Sequence, residues 1–224
     1  MRLRKFAGAL ALAFVLFGCK SSTEPKTTQP PALVANDTPA HAIERLISSY
    51  EKKNESAFAG MFTGDYTYEF SVYTDPTLVQ QYSTGWFKSD ETASSTHLFS
   101  GYTPPGGSTL EPASSISIAL ADSTPTDDNA SGVDPATHKV LATRVDGQIV
   151  VPNPGADPTA YNFQNNFNVF YIVRGDSAVG LGSGQSADSL HWYVYRWVDQ
   201  TSGPGTNRPQ TVPATWGKLK GMYH

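Results

Sequence analysis

The sequence has little of what several protein classes require. Its 224 residues include one cysteine, which excludes a small scaffold held together by disulfides. The 16 lysines and arginines are outnumbered by 20 aspartates and glutamates, and this deficit of positive charge argues against nucleic acid as a partner. Charged residues make up only 16% of the chain and aromatic residues 12%, a composition typical of a globular protein and not of a disordered one.

A long hydrophobic run is also missing. The apolar stretch at residues 6–17 would rise about 18 Å as a helix, against about 30 Å for the hydrocarbon core of a bilayer, and no later segment is long and apolar enough to span either. Three positive charges, Arg2, Arg4 and Lys5, precede this stretch. A positive start before a short apolar core is typical of an export signal, so we expect residues 1–18 to be a signal peptide.

The end of this stretch, Leu16-Phe17-Gly18-Cys19, resembles the lipobox of bacterial lipoproteins, in which a branched residue and two small ones precede the cysteine that receives the lipid. Phe17 departs from the pattern, since the family usually has a smaller residue there. The resemblance implies that Cys19 is lipidated and that the membrane is a partner through this lipid. The alternative is an ordinary cysteine near a signal peptidase site. Lys20 stands where an aspartate signals inner-membrane retention in well-studied Gram-negative bacteria, which implies the outer membrane, facing the periplasm or the surface.

The rest of the chain divides into a tether and one domain. Residues 19–37 are rich in serine, threonine and proline and have little apolar surface to bury, so we expect a disordered tether after the cysteine. Residues 38–224 are long enough for a single domain with one core, and they show no internal repeat and no second boundary.

Hydrophobic periodicity predicts the elements of this domain. The predicted helices are residues 39–53, 56–62 and 89–99. The predicted strands, in which apolar and polar residues alternate or aromatic residues occupy both faces, are residues 66–72, 114–121, 139–151, 161–173 and 190–198. Residues 216–220 are predicted to form a final edge strand or a packed tail. The predicted fold class is α+β, with N-terminal helices packed in a strongly curved antiparallel sheet.

The order of these elements and the placement of their aromatic residues resemble the nuclear transport factor 2-like superfamily, which includes ketosteroid isomerases and polyketide cyclases. The resemblance lies in the opening helix around residues 42–50, the break at Asn54, residues 58–62, the strand at 66–70 and the helix before the large sheet. It implies a cone-shaped domain over residues 38–224 whose open end holds any ligand or active site.

The sequence offers few catalytic candidates. The five histidines lie more than thirty residues apart and lack metal-ligand spacing, so we expect no metal and no cofactor. His191 lies beside Trp192 in a predicted strand covered on both faces, where it could be a buried base, although a structural histidine is the simpler interpretation. The arginines of the strands, among them Arg174 and Arg196, are predicted to face outward and pair with strand acids such as Glu69.

Aromatic residues indicate a binding site more strongly. Six of them could line an apolar cleft that carries a few hydrogen-bonding groups: Tyr68, Trp86, Phe167, Tyr171, Trp192 and Tyr195. The alternative is plain core packing, because a curved sheet needs large side chains to fill its concave side.

We therefore predict an exported, membrane-anchored lipoprotein with a non-catalytic domain that binds a small apolar ligand or a protein partner. Two alternatives remain open: a small enzyme of the isomerase or cyclase type, and a scaffold that forms a homodimer through the outer face of its sheet. An enzyme should have a carboxylate or histidine deep in an open cone, near a tyrosine or acid donor. A binding or structural protein should have a filled cone, or one lined only by aromatic residues.

Overall fold

The computed structural model describes residues 32–73, 76–201, 212–213 and 215–224. The predicted signal peptide, Cys19 and most of the predicted tether lie outside these residues. Over the described part, helices pack in a curved, unclosed sheet, which confirms the predicted α+β fold class. No helix in that part has both the length and the apolar character to cross a bilayer.

Three of the described helices begin where a side chain satisfies a free backbone amide. The helices are α1 (Pro39–Glu51), α2 (Glu55–Ala59), α3 (Pro76–Gln81), α4 (Lys88–Ser100) and α5 (Trp216–Met222). The predicted cap of α1 is confirmed, since the hydroxyl of Thr38 accepts a hydrogen bond from the amide of His41 at 3.1 Å. In α2 the cap is Asn54, before the predicted start at Ser56. The α3 helix was not predicted.

The long strands of the sheet pair antiparallel, as predicted, and two parallel pairs were not predicted. The strands are β1 (Phe62–Glu69), β2 (Trp86–Phe87), β3 (Ser115–Leu120), β4 (Thr126–Asp127), β5 (His138–Asn153), β6 (Ala156–Arg174), β7 (Trp192–Asp199) and β8 (Val212–Pro213). The main order is β2-β1-β7-β6-β5-β3, with β4 beside β5 and β8 beside β6. β1 runs parallel to β7, and β8 runs parallel to β6. Parallel neighbours need long connections, and most of the domain lies between β1 and β7 in the sequence.

The two longest strands, β5 and β6, bend at a bulge. Their register shifts between Val145 and Gly147, and Asn165 has a left-handed φ of 61°. A Cβ atom on Gly147 would lie 2.3 Å from the ring of Phe163, so this position requires a glycine. Bulges bend strands and increase their twist, and here the bend lies in the two strands that contribute most to the sheet.

The C-terminal residues form a helix and not the predicted strand or tail. The hydroxyl of Thr215 accepts from the amide of Lys218 at 3.0 Å and caps α5. Trp216, Leu219, Lys220 and Tyr223 are buried, and they stand at positions i, i+3, i+4 and i+7 of one helix face. In the sequence, Lys220 stands at a position of this face where an apolar residue is expected, so the helical periodicity is hidden.

The domain begins before the predicted boundary at residue 38. The carbonyl of Val34 accepts from the guanidinium of Arg45 at 2.7 Å. Asn36 exchanges two hydrogen bonds with Trp192: its carbonyl accepts from the Trp192 amide, and its side-chain amide donates to the Trp192 carbonyl. Residues 34–36, which were predicted to belong to the tether, therefore hydrogen-bond to the domain and extend along the start of β7, and the tether before them stays a prediction.

Candidate functional site

A buried polar cluster on the concave side of the sheet is the candidate site. The carboxylate of Glu91, on α4, is 2.5 Å from the ammonium of Lys220, on α5 (Oε2 to Nζ). The same oxygen accepts hydrogen bonds from the Trp86 indole at 3.1 Å and from the Tyr66 hydroxyl at 3.3 Å. All four residues are buried, with exposed fractions of 3% or less. The arrangement is a carboxylate held by three donors away from water.

Local structure explains why these residues meet. Trp86 of β2 pairs with Tyr68 of β1, and Tyr66 and Tyr68 share one face of their strand because they are two residues apart. At the start of α4, the Asp90 carboxylate turns back to accept from the Phe87 amide at 2.8 Å. Glu91 is the next residue around the helix and faces the sheet. The sequence predicted it only as one of two acids that favour a helix start.

Lys220 is surrounded by aromatic rings as well as by the carboxylate. Its nitrogen lies 3.7 Å from the ring centre of Tyr68 and 4.0 Å from that of Trp197, both within the range of cation–π contacts. Burial lowers the pKa of Lys220 to about 8, and the charges of Glu91 and Asp199 oppose this shift. At neutral pH the lysine therefore remains mostly protonated.

The tyrosines of the cluster keep their protons. Burial raises the pKa of Tyr66 and of Tyr50 well above the ordinary value, and the nearby charge of Glu91 adds to both shifts. The Tyr66 hydroxyl therefore remains a hydrogen-bond donor to Glu91 over the whole physiological range. The second carboxylate oxygen of Glu91, Oε1, is buried without a hydrogen-bond partner among the described residues.

The bulge in β6 changes which side chains face this cluster. Simple alternation along the predicted strand 161–173 puts its odd-numbered residues on one face and Asn168 on the other. Phe163 is in the core before the bulge, whereas after it Asn168 and Phe170 are fully buried. The side-chain oxygen of Asn168 accepts from the Trp197 indole at 2.7 Å. The extra residue reverses the alternation, so the prediction was wrong beyond Asn165.

The six aromatic residues predicted to line one cleft lie on both sides of the sheet. Tyr68, Trp86 and Trp192 belong to the core, and the first two contact the buried cluster. Tyr171 and Tyr195 are half-buried and Phe167 is 36% exposed. These three lie on the outer face, where the Tyr195 hydroxyl donates to Asp128 at 3.2 Å. The structure therefore does not gather the six residues into a single site.

His191 is not the buried base that the sequence suggested. It precedes β7 in the connection from β6, and its side chain is 37% exposed. Its Nδ1 lies 2.7 Å from the Asp188 carboxylate, only three residues away. The predicted strand began at residue 190, whereas β7 begins at Trp192, so His191 falls in the turn.

Arg196 pairs with a strand acid as predicted, whereas Arg174 pairs with an acid that follows β6. The Arg196 guanidinium is 2.6 Å from the Glu69 carboxylate on the outer face, and Arg174 is 2.8 Å from Asp176. Across the described ranges, no group of three or more histidine, cysteine, aspartate or glutamate side chains is arranged to hold a metal ion.

Comparisons with known proteins add little to this description. No protein-family model matches the chain, and no curated protein matches it. A solved structure from Novosphingobium aromaticivorans, provisionally described as an aromatic ring hydroxylase, is 12% identical with a TM-score of 0.45 and covers 73% of this chain and 85% of its own. An uncharacterised Caulobacter vibrioides protein with a cystatin-like fold is 10% identical with a TM-score of 0.39, covering 73% and 86%. No function is transferred from such distant structures, and membership of the nuclear transport factor 2-like superfamily stays a prediction.

Proposed function

We propose that this chain is a membrane-anchored lipoprotein whose domain is a non-catalytic binding module. One observation carries the non-catalytic part: α5 fills the concave side of the sheet. The Trp216 ring lies 4.9 Å from that of Tyr50, 5.1 Å from Phe163 and 5.3 Å from Trp197, centre to centre. One turn later, Lys220 covers Glu91. A filled cone is what we expect of a binding or structural protein.

The chemistry of Glu91 supports this proposal. A general base must come within hydrogen-bond distance of the proton that it removes. Oε2 of Glu91 already accepts from Lys220, Trp86 and Tyr66, and the carboxylate is fully buried. A substrate could take the place of Lys220 at this oxygen only after the lysine had moved away.

An enzyme of the isomerase or cyclase type is the second candidate, because the cluster does contain a buried carboxylate 3.3 Å from a tyrosine hydroxyl. A carboxylate that removes a proton beside a donor that stabilises the resulting oxyanion is a common arrangement for such reactions. This function would require turnover that is lost in Glu91→Gln and enhanced when Lys220 no longer covers the carboxylate. Dimerisation through the outer face, where Phe167 is exposed, also stays a prediction.

The anchoring part of the proposal rests on Leu16-Phe17-Gly18-Cys19. Two or more acyl chains on Cys19 would hold the protein stably at a membrane, since each buried CH₂ contributes about 0.8 kcal/mol. We expect Cys19→Ser to move the protein from the membrane fraction to the soluble fraction of a bacterial host, as measured by fractionation and immunoblotting. The matched control, Ser21→Ala, should stay at the membrane. Membrane retention of the Cys19→Ser protein would contradict the proposal.

A further inference from the structure

The surroundings of Lys220 have the chemistry of a receptor for an ammonium group. The rings of Tyr68 and Trp197 are 5.5 Å apart, centre to centre, and stand at 80° to each other. They form two walls around the nitrogen, and the Glu91 carboxylate forms the third. Proteins recognise amines and methylated ammonium groups with aromatic faces around the nitrogen and, in many cases, a carboxylate beside it.

This receptor has an unused acceptor. Oε1 of Glu91 is buried and has no hydrogen-bond partner among the described residues, although a carboxylate offers about four acceptor positions. Leaving a buried polar atom unsatisfied is unfavourable. Lys220 therefore uses only one of the two oxygens of the Glu91 carboxylate. An ammonium ligand with several N–H groups could contact both.

Stability by itself does not account for the pair. Buried ion pairs stabilise proteins little or not at all relative to apolar residues of similar volume, because both charges must lose their water. Apolar residues in place of both Glu91 and Lys220 would fill the same volume between Tyr68 and Trp197 without that loss. A charged group at this position therefore indicates recognition of charge.

α5 is held in place by the burial of Trp216, Leu219 and Tyr223 and by side-chain hydrogen bonds, and not by backbone pairing with the sheet. It has seven residues, too few to form a stable helix alone. The described hydrogen bonds that join it and Tyr223 to the rest of the domain involve side chains and no shared backbone ladder, for example from the Ser94 hydroxyl to the Lys220 carbonyl and from the His97 ring to the Tyr223 carbonyl. Its departure would break no strand pairing of the sheet.

We propose that Glu91, Tyr68 and Trp197 form a binding site for an organic ammonium ion, and that Lys220 of α5 occupies this site as an intramolecular ligand. The proposal rests on the proposed function and names the ligand class of the same site. The ligand would be an amine or methylated ammonium carried on an aromatic or apolar body, because Trp216, Leu219 and Tyr223 fill the adjacent space.

The test compares the full-length chain with Lys220→Ala, in which the receptor is vacated, and with Lys218→Ala, which changes an exposed lysine of the same helix. Each protein is titrated with phenethylammonium chloride, with 2-phenylethanol as a neutral analogue and with sodium chloride at equal ionic strength. We expect the amine to raise the melting temperature of Lys220→Ala saturably by at least about 3 °C. The Lys218→Ala protein and the unmodified chain should need a much higher concentration, because the tethered lysine competes.

Two further measurements complete the test. Adding Glu91→Gln to Lys220→Ala should abolish the shift, since the carboxylate is then gone. In the unmodified chain, a high concentration of the amine should speed trypsin cleavage after Lys220, which is buried while α5 is in place. If Lys220→Ala does not fold, the trypsin measurement on the unmodified chain decides the test.

Equal responses to the amine and the alcohol, or a shift that persists with Glu91→Gln, would overturn the ammonium site. If the variants do not fold, the test is the unmodified chain. A rate of trypsin cleavage after Lys220 that does not change with the amine would then overturn the site as well. These results would leave the membrane anchor untouched, since the Cys19→Ser fractionation tests it independently. If the Cys19→Ser protein stays in the membrane fraction, the proposed anchor is contradicted, but the result of the amine titration is not affected.

Discussion

The two faces of the sheet carry the same three kinds of group in different surroundings. On the concave side, Glu91 pairs with Lys220, whose ammonium lies over Tyr68. On the outer face, Glu69 pairs with Arg196, whose guanidinium lies 5.0 Å from the ring centre of Tyr171. The inner pair is 0% and 2% exposed, whereas the outer pair is 48% and 41% exposed.

This difference in exposure decides what each pair does. Water screens the outer charges, and such pairs contribute about 0–1 kcal/mol to the free energy of unfolding. Inside, each charge depends on its partner, because the hydrogen bonds from Trp86 and Tyr66 and the aromatic rings replace only part of the lost hydration. The same chemistry is therefore dispensable on one face and critical on the other, and each of the following changes tests that contrast.

The largest effect is expected from Lys220→Met. The change leaves the Glu91 charge buried without a cation, so the free energy of unfolding should fall by about 3–5 kcal/mol. Urea denaturation followed by circular dichroism measures it, and Lys218→Met, at an exposed position of the same helix, should change it by less than about 0.5 kcal/mol. Adding Glu91→Gln should recover part of the loss. A decrease below about 1 kcal/mol for Lys220→Met would show that the pair is not critical.

An intermediate effect is expected from pH. The folded pKa of Lys220, about 8, is below the ordinary value of 10.5 because of burial. Between these two pH values the unfolded chain holds a proton that the folded chain has released, so the free energy of unfolding rises with pH. Below pH 8 Lys220 is charged in both states, and burial of its charge lowers the free energy of unfolding by the full amount. The charged groups that act on the lysine are Glu91 of α4 and Asp199 of β7.

The measurement is the stability of the unmodified chain minus that of the double variant Lys220→Met/Glu91→Gln at several pH values. This difference should increase by roughly 1 kcal/mol per pH unit between pH 8 and 10. Ionisation of tyrosines in the unfolded chain is common to both proteins and cancels. A difference that stays flat or decreases over this range would show that the lysine titrates normally in the folded protein.

The smallest effect is expected from Arg196→Met on the outer face. Loss of this exposed pair should change the free energy of unfolding by at most about 1 kcal/mol, and less in 0.5 M sodium chloride than at low salt. Urea denaturation at the two salt concentrations provides the comparison. A loss as large as that of Lys220→Met would abolish the contrast between the faces.

Much of the fold could be predicted from the sequence because its signals are local. Thr38 caps α1 through a hydrogen bond to a residue three positions away. The alternation of Ile116 and Ile118 predicted the buried face of β3. The outward position of Glu69 followed from the alternation of β1, whereas that of Arg196 depends on a register shift in β7. Caps and alternation depend on a few neighbouring residues, so the pattern of the chain is sufficient to indicate them.

The candidate site could not be predicted in this way. Glu91 and Lys220 are 129 positions apart, and each resembles an ordinary surface residue of a helix. The bulge at Asn165 also reversed a face that simple alternation had assigned, because one extra residue shifts every later side chain to the other side of the sheet. Neither feature leaves a distinctive local pattern.

By itself, the sequence determined the α+β class, the positions of most helices and strands and the outward position of Glu69. Only the tertiary structure decided that the C-terminal helix fills the concave side and that its lysine meets a carboxylate between two aromatic rings. The reason is physical: caps and periodicity act over a few residues, whereas the burial of a charge depends on every element that excludes water from it.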